Sequence, residues 1–210
     1  FFFKQKTAYE IYQCDWSSDV CSSDLIVGVT GGLVYSTNLC LTAQAAKFTD
    51  ISLYMNTGLN ASEASQYYVQ AQEGCSGDVY CAAYNYGKNA ANAAIAYSES
   101  QGVSSSKWWL DVETENTWDV DVMQNRASLQ GAYDALKAHG AALVGVYSTT
   151  AQWNEITGGW QNGWANWGAT TWTTAKQALK YCKDHEFTGG PTLLIQFRTK
   201  QSKVDQDIAC

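Results

Sequence analysis

Two carboxylates close an apolar run, Lys107-Trp108-Trp109-Leu110-Asp111-Val112-Glu113. A strand sends side chains i and i+2 to one face. Asp111 and Glu113 are therefore expected side by side where this strand ends. Close carboxylates resist ionising together, because each charge raises the other's pKa. One can keep a proton to donate while the other stays negative, as in enzymes that cut sugar–sugar bonds. The alternative is two solvated acids at a strand end, since D-x-E is short and common.

The elements around the pair alternate. Ile26 to Thr30 is a β-type run closed by Gly31 and Gly32, and Ile51 to Thr57 alternates until Gly58. Further strands are expected at Trp108–Glu113, Ala142–Ser148, Ala169–Thr173 and Thr192–Phe197. Helices are expected at Thr42–Phe48 (with Thr42 as N-cap), Tyr80–Ser100, Asp119–His139, Gln152–Ile156 and Thr174–Cys182. Gly102 and Gly140 stop the two long helices. Asp119–His139 carries Val122, Leu129, Ala132, Tyr133 and Leu136 at helical spacing. Asn60–Asp78 reads as a loop with one helical turn. The pattern predicts an α/β fold with a parallel sheet, either a barrel or an open sheet. Six strands and about 185 residues fall short of a full barrel of eight strands and about 250 residues.

Composition narrows the partners. Charged residues make up 16% and the net charge is −7, against the basic face that nucleic acid requires. Nine Trp and thirteen Tyr suit either a core or a sugar-lined cleft, since each has a flat apolar face and a polar tip. No run is long and apolar enough to span a membrane. No glycine-rich phosphate loop follows a strand, so no nucleotide cofactor is indicated. The histidines are isolated and no C-x-x-C occurs, so no metal is indicated.

Residues 1–25 stand apart. Phe1–Ile11 and Asp15–Leu25 resemble translated adapter DNA from short-read sequencing, both in one frame and in the right order. The segment is expected to be disordered, with the native domain covering 26–210 and its true N-terminus missing. Five cysteines remain. Cys75 and Cys81 could close a small loop, and Cys182 could tie Cys210 to a helix end. Cys40 is the odd one, its partner expected in the lost N-terminus. Such pairs suggest secretion, the alternative being buried free thiols in a cytosolic protein.

From Trp108 to Cys210 the chain resembles glycoside hydrolase family 25, lysozyme-type enzymes that cleave peptidoglycan. Leu110-Asp111-Val112-Glu113 matches its D-x-E strand end. Gly145-Val146-Tyr147-Ser148-Thr149, with Trp153 behind, matches its G-x-Y-[ST] strand. Ile195-Gln196-Phe197 and Val204-Asp205-Gln206-Asp207 stand where the family has W-Q-[YF] and V-D-x-N. The resemblance implies a small, irregular TIM-like (β/α) barrel with the site at the C-terminal strand ends, here possibly incomplete at its N-terminus. It implies Glu113 as general acid and Asp111 as the residue that orients the N-acetyl group or stabilises developing charge. Asp205 becomes a supporting carboxylate and Tyr147 a hydrogen-bonding partner. Gln196 belongs to the same site, and Trp153 or Trp172 would be a stacking wall. No cofactor is implied, and a monomer acting on polysaccharide is expected. Two departures stand out. Ile26 to Thr30 holds no acid where the family's first strand has Asp, and Ile195 replaces Trp. The readings that follow are a secreted hydrolase of N-acetylated cell-wall glycan, a non-catalytic carbohydrate-binding barrel, or an interaction protein using only the scaffold.

Overall fold

The computed structural model describes residues 25–171, 173–183, 186–198 and 205–210. The leader, apart from Leu25, therefore lies outside the described residues, as does Trp172. Leu25 itself opens the first strand, paired with Ile51. Backbone pairing accepts any non-proline residue there, so the strand starts one residue inside the segment read as adapter.

Seven strands lie side by side in chain order: β1 (Leu25–Gly28), β2 (Ile51–Asn56), β3 (Lys107–Asp111), β4 (Leu143–Ser148), β5 (Ala165–Ala169), β6 (Thr192–Phe197) and β7 (Gln206–Ala209). The first six are parallel. β7 returns antiparallel on β6. The sheet curls into a half-barrel, enough to bring the rings of Tyr54 on β2 and Trp167 on β5 to 6.3 Å. The alternation left a barrel or an open sheet; the half-barrel matches the irregular barrel that the family resemblance implied, with one more strand than the sequence pattern shows.

Period-2 alternation divides the strands between two cores. Val27, Leu53, Met55, Trp108, Leu110, Val144 and Val146 face outward and pack with apolar helix residues. Ile26, Tyr54, Trp109, Tyr147, Ala165 and Trp167 form a separate cluster on the concave face.

The helices are α1 (Leu41–Ala45), α2 (Gln66–Ala71), α3 (Val79–Ser100), α4 (Val122–Ala138), α5 (Thr150–Thr157) and α6 (Ala175–Ala178). Asp78 caps α3 by accepting from the N–H groups of Tyr80 and Cys81, and Asp121 caps α4 through Met123. α3 and α4 cross at two glycines. A Cβ on Gly87 would lie 1.8 Å from the Ser128 carbonyl oxygen, and one on Gly131 would lie 2.0 Å from that of Tyr84.

Three local expectations need correction. The fifth strand is Ala165–Ala169, not Ala169–Thr173. Thr and Trp favour strands in general, but pairing with β4 and β6 selects the stretch that turns Trp167 inward. Thr42 lies inside α1, whose N-cap is Cys40 and has no side-chain cap bond. The segment after Thr174 is helical only to Ala178 and continues as a 3-10 turn, Leu179–Lys183. Disulfides join Cys75 to Cys81 and Cys182 to Cys210, the pairings expected. Cys40 is disulfide-bonded as well.

Candidate active site

Strand register arranges the concave face in layers. In the lower layer Gly28 pairs with Tyr54, Tyr54 with Trp109, and Trp109 with Gly145. The two large rings lean outward over the two glycines. A Cβ on Gly28 would meet Tyr54 Cζ at 2.6 Å, and one on Gly145 would meet Trp109 Cζ3 at 2.4 Å. The glycines are thus the space the rings occupy.

The next layer, toward the C-terminal strand ends, pairs Asn56 with Asp111, Asp111 with Tyr147, and Tyr147 with Trp167. A polar chain runs through it. Thr30 Oγ1 donates to Asn56 Oδ1 at 2.7 Å, and Asn56 Nδ2 donates to Asp111 Oδ2. The Asp111 carboxylate is sealed from solvent, at 5% exposure for the residue. Among the described residues its Oδ1 finds no N–H or O–H donor. The group beside it is the Glu113 carboxyl, and a bond between two carboxyls requires a proton on one of them. Burial pushes the pKa of Asp111 well above the usual carboxylate range. The charge of Glu113, a hydrogen bond with it and the charge of Glu115 push the same way.

Glu113 lies two residues past the end of β3 and is only partly buried. The pair is therefore unequal: Asp111 is enclosed, and Glu113 is partly exposed at the strand end. Trp118 Nε1 holds the loop by donating to the Glu113 carbonyl at 2.8 Å.

The opposite wall comes from β4 to β7. Tyr147 Oη donates to Gln196 Oε1 at 2.7 Å, and its ring packs 4.5 Å from that of Trp167. Burial, with the charges of Glu113, Asp111, Asp205 and Asp207, pushes the Tyr147 phenol well above its usual range. Gln196 pairs with Asp207 across the β6–β7 ladder. Asp207 Oδ1 accepts from Trp167 Nε1 at 2.7 Å. Burial pushes Asp207 up to about 7, the Trp167 bond opposing and the charge of Asp205 adding. Asp205 is half exposed and 3.7 Å from Arg198 Nε.

The residues singled out from sequence thus divide. Asp111, Glu113, Tyr147, Gln196 and Asp205 share one end of the sheet, and the charges of the three acids all act on the Tyr147 hydroxyl. Trp153 does not join them. Its indole is fully buried on the helix side, parallel to Trp160, with Nε1 donating to the Trp160 carbonyl. No face is left for a sugar, because the α5 position that follows Thr149 points into the outer core. Trp172 lies outside the described residues. The concave tryptophans Trp109 and Trp167 are themselves buried, and Tyr54 and Tyr147 are the half-buried aromatic residues of this cluster.

Sequence reasoning missed Asn56, Tyr54, Trp167 and Asp207. A glycine inside a strand signals close approach of a neighbour, so Gly28 and Gly145 pointed to Tyr54 and Trp109. Asp207 was visible as the acid in place of Asn in the V-D-x-N stretch.

The family described as Lysozyme-like protein 1 matches residues 19–184. Probable GH family 25 lysozyme 4 of Dictyostelium discoideum is 30% identical over 141 residues, 61% of this chain and 64% of that protein. Probable GH family 25 lysozyme 2 of the same organism is 28% identical over 137 residues, 59% of this chain and 60% of that protein. The chain thus spans under two thirds of the length of these relatives. Among solved structures, the glycosyl hydrolase 25 virulence factor GHIP of Streptococcus pneumoniae aligns with a TM-score of 0.54 at 14% identity, over 88% of this chain and 75% of that one. A muramidase from Trichobolus zukalii aligns with a TM-score of 0.50 at 14% identity, over 89% and 80%. These structures share the fold, and the match to the sequence family carries the kinship. The chain belongs to the Lysozyme-like protein 1 family, as a divergent relative of glycoside hydrolase family 25.

Proposed function

We propose that the chain is a secreted glycoside hydrolase of N-acetylated cell-wall glycan, peptidoglycan or a chitin-like polymer, with Glu113 as general acid. One observation carries the reading: the unequal carboxyl pair at the end of β3, with Asp111 enclosed and Glu113 partly exposed. Such a pair titrates as a unit and holds one proton over a range of pH. Burial holds that proton on Asp111; it passes across the Asp111–Glu113 hydrogen bond as Glu113 protonates the glycosidic oxygen and the bond from sugar carbon to oxygen breaks. The positive charge left on the sugar ring then faces a pair that has become doubly negative, which stabilises it. Water adds to the carbon, and its proton restores the pair. Asp111, closed off from the cleft, acts through Glu113 as a positioning residue. Asp205 supports the charge from the other wall, and Tyr147 with Gln196 borders the sugar.

The remaining expectations fit this reading. The disulfides Cys75–Cys81 and Cys182–Cys210 suit an oxidising compartment. No helix among the described residues is long and apolar enough to cross a membrane. We take 26–210 as one glycosidase-like domain acting as a monomer on polysaccharide, without a cofactor. The test is clearing of a cell-wall suspension between pH 4 and 7, with reducing ends counted. Clearing with new reducing ends supports hydrolysis; no cleavage at any pH overturns it.

One observation favours a second reading, a barrel that binds glycan without cutting it. β1 brings Gly28 rather than an acid to the concave face, and the Tyr54 ring fills the space. Affinity for glycan fragments without any turnover would select this reading.

A further inference from the structure

The Tyr54 hydroxyl occupies an unusual position. Its ring lies over Gly28, within 2.6–3.0 Å of where a Cβ there would sit. It shares the concave cluster with Trp109 and Trp167 and is only partly buried. Apart from the Gln196 amide N–H, whose side-chain oxygen accepts from Tyr147, the other donors of this face are already committed. The Tyr147 hydroxyl serves Gln196, the Thr30 hydroxyl serves Asn56, and the Trp167 N–H serves Asp207. The Trp109 N–H is sealed in. Tyr54 Oη makes no hydrogen bond to any described residue. A sugar brings acceptors as well as hydroxyls, above all the acetamido carbonyl, and ionised carboxylates cannot donate to them.

Resting on the glycan-cleft reading above, we propose that Tyr54 is a substrate-binding residue whose hydroxyl donates to an acceptor oxygen of the sugar held beside Glu113, in a position that the absent side chain of Gly28 leaves open. Burial and the charges of Asp111, Glu113 and Asp205 all raise the pKa of the phenol, so it remains a donor at any working pH. Gly28 is then a specificity device. Any side chain at that position drives the ring off β1 and takes the hydroxyl out of line.

The test uses the trimer of N-acetylglucosamine as probe. Binding is measured in the Glu113→Gln background, so that nothing is cut, with and without Tyr54→Phe, which keeps the ring and removes only the hydroxyl. The expected result is a loss of affinity of about three- to tenfold, the worth of one neutral hydrogen bond, with an unchanged melting temperature. Gly28→Ala should weaken binding similarly in that background and add little once Tyr54 is Phe. If Tyr54→Phe binds as tightly as its parent, the Tyr54 proposal falls while the cleft reading stands. If the parent does not bind the trimer at all, the glycan reading falls and Tyr54 falls with it.

Discussion

The indole N–H of Trp167 on β5 lies 2.7 Å from Oδ1 of Asp207 on β7. That bond ties the antiparallel last strand to the aromatic floor of the cleft, and the carboxyl it holds has been pushed up to about 7, chiefly by burial. A raised acid pKa means the folded state holds the proton more tightly than the unfolded chain. The stabilisation is complete below about pH 4, where both states are protonated, and is lost as pH rises through 7. Asp207→Asn mimics the protonated form at every pH. Melting curves at pH 4 should therefore match the parent, while at pH 8 the variant should melt higher by about 3–10 °C. Equal melting temperatures at pH 8 would show that Asp207 is ionised without cost.

The seam between α3 and α4 sets helix propensity against a clash. Alanine gains about 1 kcal/mol over glycine in a helix interior. At Gly87 the added carbon would sit 1.8 Å from the Ser128 carbonyl oxygen, part of another helix's backbone and unable to rotate away. The clash should win. Gly87→Ala is expected to destabilise by about 1–3 kcal/mol in urea unfolding, and a stabilised variant would show that the helices do not meet there.

The Cys182–Cys210 and Cys75–Cys81 disulfides should differ in worth. Cys182 and Cys210 are 28 residues apart, Cys75 and Cys81 only 6. Constraint of the unfolded chain grows with loop length, giving about 3.6 kcal/mol for the longer loop and about 2.4 for the shorter. Cys210→Ser should thus cost more stability than Cys75→Ser. It should also loosen β7, measured as faster amide exchange at Asp207 and Ile208. Unchanged exchange there would mean that β6 pairing alone holds the strand.

The floor glycine Gly145 makes a related prediction. Its Cβ would meet the Trp109 ring at 2.4 Å and the Ala165 carbonyl oxygen at 3.0 Å. With ring and backbone on both sides, Gly145→Ala should cost about 1–3 kcal/mol and red-shift tryptophan emission as Trp109 is displaced toward water. A neutral substitution would mean that the floor is looser than these distances indicate.

What sequence reveals here follows from periodicity and spacing. The Asp111–Glu113 pair is legible because a strand's two-residue period leaves one option for their relation. The parallel order of β1 to β6 is legible because helices alternate with apolar runs. Trp153 and Trp167 mark where this fails. Trp153 sits inside helix α5 and enters the helix-side core, while Trp167 sits mid-strand in β5 and faces the concave floor, a difference that follows from element type and not from tryptophan content. β7 is four residues long, Gln206–Ala209, too short and polar to show a period, so Asp207 could be quoted in a motif without being placed in the wall. Tyr54 owes its position to a missing side chain on another strand, which only a three-dimensional contact reveals.

The central claim is that Glu113 delivers the proton that cuts the glycan. Initial rates of reducing-end release from a cell-wall suspension, parent against Glu113→Gln, test it most directly, with binding of the N-acetylglucosamine trimer measured on both. The account predicts a fall in turnover of about 10²–10⁴-fold, the usual worth of a general acid, with trimer affinity within about threefold of the parent. A variant that cuts as fast as the parent would contradict it.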